Sequence, residues 1–107
     1  MIILYSKAMS GLRLSSALRE VRIIFCQYSA ASAGARQFVS EHYVNLKVEN
    51  PTTPILIREC SDVQPMLYAR FAHGREKSAP LNDMVSNEIL EKLKSLDETS
   101  LQEATNS

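Results

Sequence analysis

The chain has 107 residues, with 12 Lys and Arg against 12 Asp and Glu, so its formal net charge is zero. This length predicts one domain with a core of its own, and the absence of a basic excess argues against a protein that coats RNA or DNA. No apolar run approaches the ~20 residues needed to span a bilayer. An α/β or α+β domain without a membrane span is therefore expected.

Residues 1–17 have the composition of a mitochondrial import signal. They contain basic residues such as Lys7 and Arg13, several serines and no acidic residue, since the first acidic side chain is Glu20. Basic, serine-containing and acid-free segments are typical of import signals. A plain N-terminal tail is the alternative, because many small domains begin with one.

The first half of the domain predicts a strand, a helix and a second strand. Residues 21–26 are apolar nearly throughout and rich in β-branched and aromatic side chains, which predicts a strand buried on both faces. Apolar side chains then recur at the three- and four-residue steps of a helix, namely Ala35, Phe38, Val39, His42 and Leu46. Pro51 ends this helix, and residues 55–59 form the next strand. This βαβ unit predicts two parallel strands with a right-handed crossover.

The second half predicts a hairpin and a final helix. Residues 66–71 and 76–81 form two strands joined by a turn at residues 72–74. A helix follows from Ser86, and its apolar face consists of Ile89, Leu90, Leu93 and Leu96. This half therefore adds an antiparallel pair to the sheet.

The element order is thus β-α-β followed by β-β-α. It predicts an α/β fold in which helices flank a four-stranded mixed sheet, the thioredoxin-like arrangement. Pro65 precedes the third strand, where that fold often has a cis-proline, and the sequence leaves both isomers open. Residues 97–107 are polar and mildly acidic, which predicts a flexible tail. The domain itself is expected over residues 18–96.

Two cysteines occupy equivalent positions on the first two strands. Cys26 follows Val21 by five residues, and Cys60 follows Ile55 by five. If these strands pair in that register, the cysteines lie opposite each other at a spacing that a disulfide tolerates. The alternative is a pair of buried thiols that act as small apolar side chains.

Cys26 also stands where thioredoxins carry their redox motif. The run Cys26-Gln27-Tyr28-Ser29 lies between the first strand and the helix, and a helix N-terminus lowers the pKa of a nearby thiol. Ser29 occupies the place of the resolving cysteine, so dithiol exchange would require Cys60. A thiol–disulfide redox protein that uses Cys26 is therefore an alternative function.

The remaining polar residues suggest contact with a partner more than catalysis. Arg58, Glu59 and Asp62 cluster at the end of the second strand, and Arg70 lies on the third. Such residues form a solvated charge cluster or hold a partner through charge-assisted hydrogen bonds. The two cysteines and two histidines form no close ligand pair, so no metal site is expected. No phosphate-binding loop or catalytic set is predicted either.

Several stretches of the chain carry a resemblance to a known family. They are Leu18-Arg19-Glu20-Val21-Arg22-Ile23, Cys26-Gln27, residues 54–65 as a continuous signature, Tyr68-Ala69-Arg70-Phe71, Gly74 and Leu81-Asn82. Over roughly residues 18–96 the chain resembles the small thioredoxin-like accessory subunits of mitochondrial respiratory complex I. Residues 1–17 look longer than the usual start of this family.

The resemblance implies a non-catalytic subunit of the respiratory chain without a cofactor, metal or active site. Such a subunit supports the assembly and stability of the NADH-oxidising module in the peripheral arm. Its partners would be other complex I subunits, above all the large iron–sulfur subunit, with no nucleic acid and no membrane span. It would lie peripherally on the matrix side of the inner membrane. In the family, cysteines that match Cys26 and Cys60 can form a disulfide.

Mitochondrial ribosomal proteins of the same fold family are the other alternative function. These proteins are generally basic, because they contact ribosomal RNA. The zero net charge of this chain and the match around Cys60 both favour the complex I subunit.

Overall fold

The computed structural model describes the backbone of residues 13–106 and the side chains of residues 13–97. Most of the predicted import signal, residues 1–12, lies outside this range. Within this range six regular elements follow one another, and these are β1 (Leu18–Phe25), α1 (Ala33–Glu49), β2 (Ile55–Glu59), β3 (Met66–Phe71), β4 (Glu76–Pro80) and α2 (Ser86–Asn106). Short 3-10 turns at Ala30–Ser32 and Ala72–Gly74 precede α1 and β4.

The four strands form one mixed sheet in the order β2-β1-β3-β4. Strand β1 pairs in parallel with β2, whereas β3 runs antiparallel to both β1 and β4. Val21 lies opposite Ile55, which is the register that the spacing of the two cysteines assumed. The predicted α/β class and four-stranded mixed sheet are therefore confirmed.

The hydrophobic core lies on one face of the sheet only. Along β1, Val21, Ile23 and Phe25 are buried, while the alternate residues Arg22 and Ile24 are partly exposed. Both helices pack on the buried face and contact each other. Their core residues are Phe38 and Leu46 from α1, and Ile89 and Leu93 from α2. Each such side chain stabilises the fold by roughly 1.5–3 kcal/mol.

The prediction that β1 is buried on both faces is therefore wrong. Burial on both faces of a parallel pair requires helices on both sides of the sheet. Residues 60–65, which connect β2 to β3, contain a turn and no helix. Six residues are too few for a helix that could cover the second face, so the side chains on that face stay accessible.

The packed part of the chain is longer than predicted at both ends. Leu14 and Ala17 pack against the core, and Asp97 accepts hydrogen bonds from the backbone N–H and the hydroxyl of Ser15 at 2.9 and 2.7 Å. Helix α2 continues to Asn106, where a flexible tail was predicted from residue 97. A helix that tertiary packing has already nucleated extends readily, because each added residue gains a hydrogen bond without a new nucleation cost.

The cis isomer that the sequence left open at Pro65 is not adopted. No cis peptide bond occurs in the described part of the chain. Pro65 is fully buried, and its carbonyl oxygen accepts the backbone N–H of Leu81 at 2.9 Å. Pro65 thus packs between the start of β3 and the residue that follows β4.

Gly34 allows α1 to approach the segment before α2. A Cβ atom added at Gly34 would lie 1.6 Å from the carbonyl oxygen of Met84. We expect Gly34→Ala to lower the free energy of unfolding, because overpacking costs roughly 1–3 kcal/mol, more than the ~1 kcal/mol of helix propensity that alanine adds. Chemical denaturation followed by circular dichroism measures this change.

Ser40→Ala, an exposed position of the same helix, is the control for helix propensity alone and should be neutral or slightly stabilising. A Gly34→Ala variant at least as stable as the wild type would contradict the close packing of α1 against Met84.

Candidate functional site

Two features of the structure could carry function, and the first is the thiol of Cys26. Its side chain is fully buried, whereas Cys60 is exposed, and both thiols are free. The predicted disulfide is therefore absent, although the register of the two strands is as expected. The chain turns after β2 through Asp62, whose φ is 63°. This turn brings the backbone nitrogen of Asp62 to 3.4 Å from the sulfur of Cys26, to which its N–H donates a hydrogen bond.

The loop after β1 is held against the start of α1 by several hydrogen bonds. The backbone N–H of Cys26 donates to the Ser32 hydroxyl at 3.0 Å. The guanidinium of Arg36 donates to the carbonyl oxygens of Cys26 and Ser29, each at 2.9 Å. The side chains of Ser29 and Ser32 make no capping hydrogen bond to the helix. These contacts fix the position of the sulfur relative to α1.

The surroundings of Cys26 favour its ionised form. Burial raises the pKa of the thiol, but hydrogen bonds from the backbone of Tyr28, Asp62 and Ser29 outweigh it. Together they lower the pKa of Cys26 from 9.0 to about 7. Hydrogen bonds to the charged form of a group stabilise that form, which is the physical cause of the shift.

The loop closes over the sulfur through a contact between two side chains. The Tyr28 hydroxyl donates to an Asp62 carboxylate oxygen at 2.6 Å, and this bond raises the pKa of the Tyr28 phenol. Cys26 therefore lies beneath a bridge between the loops after β1 and β2. Thiol–disulfide exchange requires an accessible thiolate that attacks a disulfide, so Cys26 would need the loop to move before it could react.

The second feature is the sheet face opposite the helices, here called the open face. Every side chain on it is partly or fully exposed. From β1 to β4 its members are Glu20, Arg22, Ile24, Leu56, Arg58, Met66, Tyr68, Arg70, Glu76, Ser78 and Pro80.

The strand register arranges these residues in three rows across the sheet. The first row is Glu20, Arg70 and Glu76, the second is Leu56, Arg22, Tyr68 and Ser78, and the third is Arg58, Ile24, Met66 and Pro80. The open face thus has a charged end and an apolar end.

The charged end neutralises itself. Arg22 forms ion pairs with Glu20, at 3.1 Å, and with Glu76. Arg70 pairs with Glu20 at 2.9 Å, and the Arg22 guanidinium lies 5.1 Å from the centroid of the Tyr68 ring. Two arginines thus balance two glutamates. Exposed pairs of this kind contribute only about 0–1 kcal/mol each to stability.

The apolar end has an uncompensated charge at its edge. Ile24, Met66 and Pro80 lie side by side across β1, β3 and β4, and Arg58 follows on the outer strand β2. Among the described residues, the side chain of Arg58 has no ion-pair or hydrogen-bond partner. Its guanidinium can therefore donate hydrogen bonds to a carboxylate from outside the chain.

The structure places two of the four predicted interface residues on the open face, one in the loop over Cys26 and one outside both features. Arg58 and Arg70 both lie on the open face, in the third and first rows. Glu59 is exposed at the end of β2, opposite Phe25, and Asp62 belongs to the loop over Cys26. The four residues therefore do not form a single cluster.

Glu20, Arg22 and Glu76 also belong to the open face, although they are not among the residues predicted from the sequence. The signal that could have found the first two is the alternation of polar and apolar residues in Leu18-Arg19-Glu20-Val21-Arg22-Ile23, which is typical of a strand with one solvated face. Glu76 has no local signal, because its partner Arg22 is 54 residues away in the chain.

No group of three or more His, Cys, Asp or Glu side chains in the described residues could hold a metal ion. Within the same range, no helix is both long and apolar enough to cross a membrane.

Comparison with known proteins identifies relatives of this chain. The Mitochondrial ribosomal protein L51 / S25 / CI-B8 domain matches residues 35–86. NADH dehydrogenase [ubiquinone] 1 alpha subcomplex subunit 2 of Mus musculus is 51% identical over 72 residues, which cover 67% of this chain and 73% of the relative. The protein of the same name from Arabidopsis thaliana is 46% identical over 78% of this chain and 86% of the relative. The NADH-ubiquinone oxidoreductase 10.5 kDa subunit of Neurospora crassa is 44% identical over 82% of this chain and 95% of its own length.

The environment of Cys26 predicts a pH-dependent stability. In a Cys60→Ser background, the thiolate absorbance at 240 nm should rise with a midpoint near the lowered pKa of about 7. An unfolded thiol with a pKa of 9.0 holds its proton in this range, so the free energy of unfolding should increase as the pH rises from about 7 to 9. The stability that the Cys26 thiolate contributes is fully present above the pKa of the thiol in the unfolded chain. It is lost as the pH falls through the pKa of Cys26 in the folded chain.

One variant in the same background serves as the control. Cys26→Ser removes the thiol and should abolish the rise in stability between these two pH values. A midpoint for Cys26 near that of a free thiol would contradict the proposed stabilisation of the thiolate.

Proposed function

Because the chain belongs to the family of NADH dehydrogenase [ubiquinone] 1 alpha subcomplex subunit 2, we propose that it is an accessory subunit of mitochondrial complex I, the NADH:ubiquinone oxidoreductase. The observation that carries this proposal is the identity of 44–51% to three relatives whose lengths are largely covered. Its partners are accordingly other subunits of that complex, and it acts in the mitochondrion.

We further propose that the fold is thioredoxin-like and that the subunit is non-catalytic. The order β-α-β-β-β-α around a mixed sheet supports the first proposal. The second is supported by the complete burial of Cys26 and the separate, exposed position of Cys60. A protein with these features contributes to a large complex through its surface.

The position within the complex follows from the resemblance described above. We place the chain in the NADH-oxidising module of the peripheral arm, against the large iron–sulfur subunit, on the matrix side of the inner membrane. Residues 1–17 would direct import, residues 18–96 would form the docked domain and residues 97–107 would follow it. Contacts with neighbouring subunits would involve Arg58 and Arg70 on the open face, with Glu59 and Asp62 at the adjoining end of β2.

A mitochondrial ribosomal protein is the second candidate, because the matching domain description includes ribosomal proteins L51 and S25. The zero net charge of the chain and its identity to complex I subunits over most of its length both weigh against this candidate. The two functions differ in the particle that contains the protein.

The test is where the chain migrates among native mitochondrial complexes. Mitochondria that contain an epitope-tagged copy are solubilised in mild detergent, separated on a native gel and stained for NADH oxidation. We expect the tag to coincide with the NADH-oxidising band of complex I. Sedimentation with ribosomal RNA would favour the second candidate, and migration as a free small protein would contradict both.

A further inference from the structure

The open face is a large surface that the described part of the chain leaves uncovered. Both helices pack on the opposite face, and none of the residues on the open face is buried. All-parallel sheets carry helices on both faces, whereas antiparallel pairs commonly leave one face in water. Two of the three strand pairings here are antiparallel, so the open face can be solvated, but its apolar row of Ile24, Met66 and Pro80 would gain from removal from water. A layer that covers this row would have to come from outside the described chain.

We propose that the open face docks an α-helix of a neighbouring complex I subunit, which places apolar side chains on Ile24, Met66 and Pro80 and a carboxylate at Arg58. This inference rests on the proposed function, because complex I supplies the neighbouring subunits. It adds to that function the docking surface and the chemistry of the segment that occupies it.

The dimensions of the open face suit one helix. The outer strands β2 and β4 are three strand spacings apart, which is about 14 Å. Successive rows are two residues, or about 7 Å, apart along the strands, and a helix with its side chains is about 10–12 Å wide. A single helix that crosses the strands can therefore cover the third row and part of the second. Leu56 and Tyr68 in the second row would extend the apolar contact on either side of Arg22.

The charges of the open face determine which charged group the partner must carry. Glu20, Arg22, Arg70 and Glu76 already neutralise one another, so they would form the polar rim that is usual around an apolar contact. Arg58 has no such partner among the described residues, and covering an unpaired guanidinium costs free energy unless a carboxylate meets it. A bidentate arginine–carboxylate pair satisfies this requirement and fixes the orientation of the partner.

The experiment compares open-face variants with matched variants on the helices. Ile24→Thr and Arg58→Glu change the apolar row and its charge. The matched variants make comparable changes in the helical layer on the other side of the sheet. They are Val44→Thr, at an exposed position of α1, and Lys94→Glu, at an exposed position of α2. Each full-length variant replaces the wild type in mitochondria, and the amount incorporated into complex I is measured on native gels.

We expect each open-face variant to reduce incorporation by roughly tenfold or more, as the loss of a central apolar contact or of a buried ion pair does in other interfaces. Arg58→Lys should retain more incorporation than Arg58→Glu, because it keeps the charge. The two helix controls should incorporate as the wild type does. Thermal unfolding of each purified variant verifies that it folds. If Ile24→Thr does not fold, Arg58→Glu alone tests the proposal.

A cross-linking experiment identifies the occupant. A photoreactive p-benzoylphenylalanine replaces Ser78 on the open face, and a control chain carries it in place of Ser95 on α2, both of which are exposed. We expect the Ser78 position alone to cross-link to a peptide of another complex I subunit that contains Asp or Glu among apolar residues at helical spacing. Cross-linking to residues 1–12 of this chain, to a second copy or to an RNA would overturn the proposal.

The outcomes separate this inference from the function on which it rests. If wild-type chain is absent from the NADH-oxidising band, the proposed function fails. If the wild type is present and the open-face variants incorporate equally well, only the docking surface is wrong.

Discussion

Strand β1 lies between β2 and β3, and its two hydrogen-bonded ladders position every other feature of the molecule. Pairing with β2 sets Val21 opposite Ile55, and pairing with β3 sets Ile23 opposite Leu67. Because side chains alternate along a strand, these two registers decide which residues enter the core and which form the open face. A shift of one residue would move Arg22 into the core and expose Phe25.

The one-sided burial of the sheet connects the fold to the function of its family. A connection of six residues between β2 and β3 leaves no helix on the second face, so the domain is a sheet with one helical layer. Such a face is tolerable in an isolated protein only when part of it is polar, which Glu20, Arg22, Arg70 and Glu76 provide. A subunit of a large assembly can keep the rest apolar for contact with its neighbours.

The Cys26 loop shows how one set of hydrogen bonds can favour ionisation and restrict reaction at the same time. Backbone N–H groups of Tyr28, Asp62 and Ser29 stabilise the thiolate, yet they come from loops that also cover it. The Tyr28–Asp62 hydrogen bond joins these loops above the sulfur. The sulfur of Cys26 therefore acts in this conformation as a buried acceptor of the Asp62 N–H, which ties the end of β1 to the turn after β2.

The sequence by itself determined the elements of the sheet and the mixed sheet they form, because these depend on local periodicity, whereas the equal spacing of the two cysteines only suggested the register of β1 with β2. The continuous match over residues 54–65 also pointed to the family. Only the tertiary structure decided that β1 has one buried face, that Cys26 and Cys60 remain separate thiols, and that Arg22 meets Glu76. These outcomes depend on the length of a connection, on a turn at Asp62 and on contacts between distant residues, which no local pattern of side chains encodes.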